Sequence, residues 1–271
     1  MIRRKGAETA EENHGNMTES PVAAALARIE QVLPESTPAE RERFLQGQSG
    51  NASAAVTKLD AYLRWRQEHC EDGGLARSKD GEDSWAYATR RALSSSGGAG
   101  PLPGVVFLHN HESTKHESNR FLMHIPARIV TQIADTSVYA LALAIFIDDN
   151  FDRSKSDRMT LLIDTRSGDG FANPKAYNLL SFIQSTATLL QDLHPGRLEQ
   201  CIVYPVPTIA GTLFNAIKPF LGKEASTRIH LVSGPSGRKD KVPKAMKSYL
   251  DDGLIDELED HRQQLIKLSS S

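Results

Sequence analysis

Apolar positions along the chain follow two different periods, and the change from one to the other divides it. Between residues 20 and 70 they recur at helical spacing. Ser20-Pro21 opens a helix from Val22 to Leu33, with Leu26, Ile29 and Leu33 on one face. Thr37-Pro38-Ala39-Glu40 has the capping-box pattern, with proline at the first helical position, and starts a short helix through Leu45. Asn51 caps a third helix, whose Val56, Leu59 and Leu63 form a stripe flanked by Tyr62 and Trp65. From about residue 105, short apolar runs alternate with helical patterns. The runs are Val105 to Leu108, Phe121 to Ile125, Met159 to Asp164, Cys201 to Val206 and Arg228 to Val232. Between them lie helices from about Thr136 to Ile147 and from about Pro174 to Leu193, and a strongly apolar one around Leu213, Phe214 and Ile217 that Lys218-Pro219 stops. The alternation predicts an α/β fold, with a mixed, largely parallel sheet, covering helices and an N-terminal helical unit. Leu254, Leu258, Leu265 and Leu268 predict a closing helix.

Composition adds the boundaries. Residues 1–19 are polar and read as a disordered N-terminus, and 20–70 form the helical unit. Residues 71–104 are rich in Gly, Ser and charge, culminate in SSSGGAGPLPG, and read as a linker. The α/β unit then spans 105–238, and 239–271 form a helical tail. The chain has 271 residues and a formal net charge of −2, enough length for a sizeable core and no global attraction for nucleic acid. The longest apolar run, Val138 to Ile147, is about half of what a bilayer requires. The N-terminus has no apolar signal region, so the default address is cytoplasmic. Cys70 and Cys201 lack metal-type spacing and read as structural thiols.

Candidate chemistry is sparse. G-x-G-x-x-G, Walker and G-x-S-x-G signatures are all missing. His109, His111 and His116 cluster in HNHESTKHE, readable as metal ligands or, better, as a polar loop, and no metal is expected. Asp164 ends an apolar strand and reads as a cap for the following loop rather than a catalytic base. Asp148-Asp149-Asn150 with Asp152 reads as a solvated turn. Neither catalytic residues nor a cofactor are expected.

One order of motifs is more specific. HPGRL (His194 to Leu198) is followed by Pro205-Val206-Pro207, then by KPFL (Lys218 to Leu221) and by RIHLVSG, with LLIDTRSG (Leu161 to Gly168) upstream. This order resembles the CRAL-TRIO lipid-binding family, and ERFLQGQSGNASAAVTKLDAYLRWR resembles its helical leader. The resemblance implies a sheet that floors an apolar pocket, with the KPFL helix as a gate. It implies a soluble carrier or presenter of a hydrophobic lipid, without catalysis, that touches membranes peripherally. The rival readings are a degenerate member that docks on a protein or membrane with its pocket filled, and a hydrolase using Asp164 and a loop histidine.

The sites implied follow from the motifs. Leu161, Ile163, Ile202 and Tyr204 would supply strand positions of the pocket wall, although alternation leaves the face of each strand open. Leu213, Phe214, Ile217 and Phe220 would supply the gate. Arg197, Lys218, Lys223, Arg228 and Arg238 would meet phosphates of an anionic membrane. At the family's inositol-phosphate positions stand Gly47-Gln48-Ser49 and Gly196, and at its choline-lipid positions Met159 and Leu161, which points to a greasier ligand.

Overall fold

A computed structural model of the protein describes residues 20–70, 83–116, 120–206 and 227–269. The N-terminal helices form as their caps dictate. Helix α1 covers Pro21–Val32, α2 covers Pro38–Gly47 and α3 covers Ala52–His69. The capping box at α2 is complete: Thr37 Oγ1 accepts from the Glu40 amide at 3.2 Å, and Glu40 Oε2 accepts from the Thr37 amide at 2.8 Å. Asn51 Oδ1 accepts from the Ala54 amide at 3.1 Å. Ile29, Phe44, Leu59 and Tyr62 close a small core that also takes in Ala144 and Leu193 from the α/β unit.

Two buried carboxylates fasten this unit to the rest. Glu40 is fully buried and takes both Nε and an Nη of Arg153, at 2.6 and 2.9 Å. Asp148 is buried and accepts from Tyr62 Oη at 2.6 Å and from Arg66 Nε at 2.6 Å. The Asp148 turn is therefore not solvated as its local sequence suggests, because α3 lies over it and neutralises its charge.

Residues 84–96, within the stretch whose composition reads as a linker, form helix α4 (Ser84–Ser96). Trp85, Tyr87, Ala88 and Ala92 are buried, Trp85 stacks edge-on against Phe146 at 5.9 Å, and its Nε1 donates to the Pro103 carbonyl at 3.0 Å. Helix α5 (Thr136–Asn150), apolar on nearly every side, is buried almost throughout, between the sheet and its neighbouring helices. Among the described residues, no helix is long and apolar enough to cross a membrane.

Five strands form one sheet in the order β1 (Val106–Asn110), β2 (Arg120–His124), β3 (Met159–Asp164), β4 (Leu198–Val206), β5 (Ile229–Ser233). The β1–β2 pair is antiparallel, and the other three pairs are parallel. Helix α5 bridges β2 to β3, and α6 (Leu180–Leu193), preceded by a 3₁₀ turn at Ala176–Leu179, bridges β3 to β4. Helices α4, α5 and α6 cover one face. The other face is covered by the C-terminal helix α7 (Asp252–Ser269), whose Leu254, Leu258 and Leu265 are buried against Phe121, Leu162 and Ile202. Leu268, expected on that apolar stripe, is 74% exposed, and the buried Arg262 occupies the face instead. The tail is thus a layer of the fold.

Candidate functional site

Parallel strands in register point neighbouring side chains to the same face, so the pairs Leu161↔Cys201 and Ile163↔Val203 set which residues lie together. These four line a cavity of about 750 Å³ between the sheet and helix α6. From α6 come Phe182, Ile183, Thr186, Ala187 and Leu190, one face of the helix, and β5 adds Ile229 and Leu231. The size lies within the range of roughly 300–1,000 Å³ typical of ligand pockets.

Of the strand residues expected in the wall, Leu161 and Ile163 line the cavity, whereas Ile202 and Tyr204 do not. Both of the latter are fully buried on the α7 side, because Ile202 alternates with Cys201 and Val203. Cys201, Val203 and Pro205 take their place. A register shift adds a second departure: Met159 pairs with Leu198 but Thr160 with Gln200, so Glu199 is an extra residue. The shift turns Leu198 to the cavity, although it is an even step from Ile202. Leu213, Phe214, Ile217, Phe220, Lys218 and Lys223 lie outside the described residues.

The cations expected to meet phosphate are placed differently from one another. Arg197 is buried, and its two Nη groups donate to the carbonyls of Asp157 at 2.8 Å and Asp152 at 2.7 Å. Burial pushes its pKa down to about 10. It is a structural clamp, not a surface contact. Arg238 is exposed and pairs with Asp169 at 2.9 Å. Arg228 lies in the cavity lining and donates to the Leu198 carbonyl.

Gly47, Gln48 and Gly196, which the resemblance set at headgroup positions, line the cavity, whereas sequence reasoning missed Gln46, Lys58, Asp192, His124 and Thr186. Gln46, Gly47 and Gln48 from α2 and its C-terminal end reach the cavity, as do Lys58 and Asp192, which form an ion pair at 2.7 Å. Gly47 is required by a close approach: a Cβ there would stand 2.9 Å from Pro195 Cβ. Met159 also lines the cavity, which leaves its floor without hydroxyls at the positions of Met159 and Leu161. His124, at the end of β2, and His194, after α6, contribute the two imidazoles. His194 Nε2 donates to the Ala144 carbonyl at 3.1 Å, and burial lowers its pKa to about 4. His124 stacks on Phe182 at 5.0 Å, and burial lowers its pKa to about 3. Both rings are neutral at pH 7. The Cys201 thiol is pushed up to about 12 by burial and is unreactive as a thiolate.

The groups of the hydrolase reading are on the opposite face. Asp164 is fully buried, pairs with Arg166 at 2.7 Å, and also accepts from the Arg166 amide at 3.0 Å, the strand-end cap expected of it. Glu259 and Arg262 of α7 complete this ionic group. His109 is buried rather than in a solvated loop: its Nδ1 meets Glu257 at 2.6 Å and its Nε2 meets His261 at 3.1 Å. His116 reaches the Tyr249 carbonyl. Among the described residues, no group of His, Cys, Asp and Glu is arranged to hold a metal ion.

The model of the CRAL/TRIO domain family matches residues 105–255. The chain belongs to the CRAL-TRIO family. The match takes in the five described strands and helices α5 and α6, and it ends within α7. CRAL-TRIO domains constitute a lipid-binding and lipid-transfer family, and the cavity stands between the sheet and helix α6 of that domain. The crystal structure of Sfh5 is similar, with a TM-score of 0.58 and 14% sequence identity, covering 86% of this chain and 84% of that one. At such identity the likeness shows the fold alone. No curated protein matches the chain.

Proposed function

We propose that this CRAL-TRIO protein binds a hydrophobic lipid ligand in the cavity and carries or presents it at membranes, with no chemistry done on it. The observation that carries the reading is the cavity of about 750 Å³, floored by Leu161, Ile163, Cys201 and Val203 and walled by Phe182, Ile183 and Leu190. Each methylene moved from water into such a lining gains about 0.8 kcal/mol, so a tail of about fifteen methylenes gains on the order of 12 kcal/mol. That is the scale needed to hold a lipid against its bilayer. The filled-pocket alternative, a docking module, is disfavoured by the same volume. The hydrolase alternative is disfavoured because Asp164 and His109 both face α7.

The reading extends to the sequence between β4 and β5. There Leu213, Phe214, Ile217 and Phe220 would gate the cavity, and Lys218 and Lys223, with Arg228, would meet an anionic surface of the cytoplasmic leaflet. Purified protein is expected to carry lipid extractable for mass spectrometry, and to take up a lipid with a fluorescent tail. Val203→Asp and Phe214→Asp should each abolish uptake. Protein that is lipid-free as purified and takes up no probe would refute the reading.

A further inference from the structure

Large hydrophobic side chains that stay exposed beside unpaired cations mark a surface that meets something both greasy and anionic. Beside Val22 and Val32 of α1, the described residues with such exposure are Tyr177, Leu231 and Leu268, at 65%, 37% and 74%. The cavity relates the first two. At the C-terminal ends of β3, β4 and β5 its lining reaches the surface, for Ala176, Leu231 and Ser236 all line it and all are exposed. Tyr177 follows Ala176, and the Lys175 ammonium stands 5.9 Å from the centre of its ring. Leu268 is close by. It precedes Ser269, and Gly170, in the loop after β3, lies so near Ser269 that a Cβ there would stand 2.4 Å from its carbonyl oxygen.

The turn after β5 adds the charge. Arg238 pairs with Asp169 at 2.9 Å and so ties this turn to the loop after β3. From beneath, Arg166 of the buried ionic group donates to the Asp240 carbonyl at 2.8 Å, and Arg262 to the Arg238 carbonyl at 3.5 Å. The Asp240 carboxylate is used inside the turn, where it accepts from the Gly237 amide at 2.6 Å. Lys239 and Lys241 are left exposed, with no acidic partner among the described residues.

We infer that the turn at residues 236–241, together with Tyr177, is a docking surface for an anionic bilayer. Lys239 and Lys241 meet lipid phosphates, and Tyr177 sits at headgroup level as interfacial aromatics do. The inference rests on the carrier reading above and adds a second contact to the one placed between β4 and β5. A turn fixed from beneath holds the cavity's edge against the membrane, so a tail passes between them with little exposure to water. An acidic protein would also satisfy the lysines. The bilayer is favoured because the exposed Leu231 belongs to the ligand's own lining, and a bilayer supplies the ligand as well as the charge.

The test uses the full chain, sedimented with vesicles of phosphatidylcholine with or without phosphatidylserine, while uptake of a dissolved fluorescent lipid is read separately. Lys239→Gln combined with Lys241→Gln should weaken binding to the phosphatidylserine vesicles about thirtyfold, the scale of two cations near an anionic leaflet, and leave uptake unchanged. Tyr177→Trp should add an indole emission that brominated acyl chains quench, beyond any quenching in the wild-type protein. Should the double variant fail to fold by circular dichroism, the quenching carries the test. Full-strength sedimentation of the folded double variant, or an added indole that brominated lipid does not quench, overturns the inference and leaves the carrier reading intact. So does wild-type protein that ignores the vesicles yet binds polyglutamate, which would make the partner an acidic protein. Wild-type protein that takes up no lipid overturns the carrier reading, whatever the vesicles show of the docking surface.

Discussion

Leu161 on β3 and Cys201 on β4 sit side by side in a parallel pair and face the same cavity. Their neighbours Leu162 and Ile202, also paired, face α7. The sheet is therefore a wall one strand thick between a cavity and a solid core, and the two sides should respond oppositely to mutation.

Ile202→Ala should cost about 2–4 kcal/mol in urea unfolding, the range for a buried aliphatic truncation, with probe affinity unchanged. Ala187→Trp, which projects into the cavity, should lower probe affinity at least tenfold while shifting the urea midpoint little. Equal effects of both substitutions on binding would contradict this division.

Asp148 joins the helical unit to α5 through Tyr62 and Arg66. Asp148→Ala leaves the Arg66 guanidinium and the Tyr62 hydroxyl without their acceptor and should destabilise by about 3–5 kcal/mol. A double-mutant cycle with Arg66→Ala measures the pair, and a coupling near zero would show that Arg66 contributes nothing there.

Acid should weaken the fold through two imidazoles. Burial lowers His194 to about 4 and His124 to about 3, against roughly 6.5 for unfolded histidine. Below about pH 6.5 the unfolded chain binds more protons than the native one, so stability falls as pH drops towards 4. The slope is at most about 1.4 kcal/mol per pH unit for each ring. Unfolding free energies from pH 7.5 to 4.5 should fall with that sign, and His124→Phe should flatten the slope by about one proton. An unaltered slope in the variant would mean that His124 is not held as a neutral ring.

Arg197 gives the remaining contrast. Because its guanidinium holds the Asp152 and Asp157 carbonyls, Arg197→Gln should lower the thermal midpoint by several degrees while leaving binding to anionic vesicles unchanged. Vesicle sedimentation read beside a thermal melt separates the two effects.

What the residue pattern revealed, and what it did not, follows from the range of each interaction. The capping box at Thr37, the alternation of strands and helices, and the family motifs are local, and the fold follows from them. Helix α4 was hidden because two of its inward positions, Ala88 and Ala92, carry little hydrophobic signal among serines and charges. Asp148 looked solvated because its partners lie 82 and 86 residues away in sequence. Ile202 and Tyr204 were misplaced because period-2 alternation fixes the two faces of a strand but not which one meets the cavity. Register with Leu161 decides that, and the extra residue Glu199 breaks the parity again. His124 and Thr186 gave no signal at all, since only the packing of β2 and α6 around the cavity shows that they line it.

The ionic group of Asp164, Arg166, Glu259 and Arg262 directly behind the greasy floor sets a limit on how this protein can change. Side chains on β3 can be exchanged one at a time to reshape the ligand's berth. Deleting a single residue from Met159–Asp164 would instead rotate carboxylate and oil past each other, delivering a charge to the tail and stranding two arginines. Diversification by substitution is open to this strand, and diversification by length is closed.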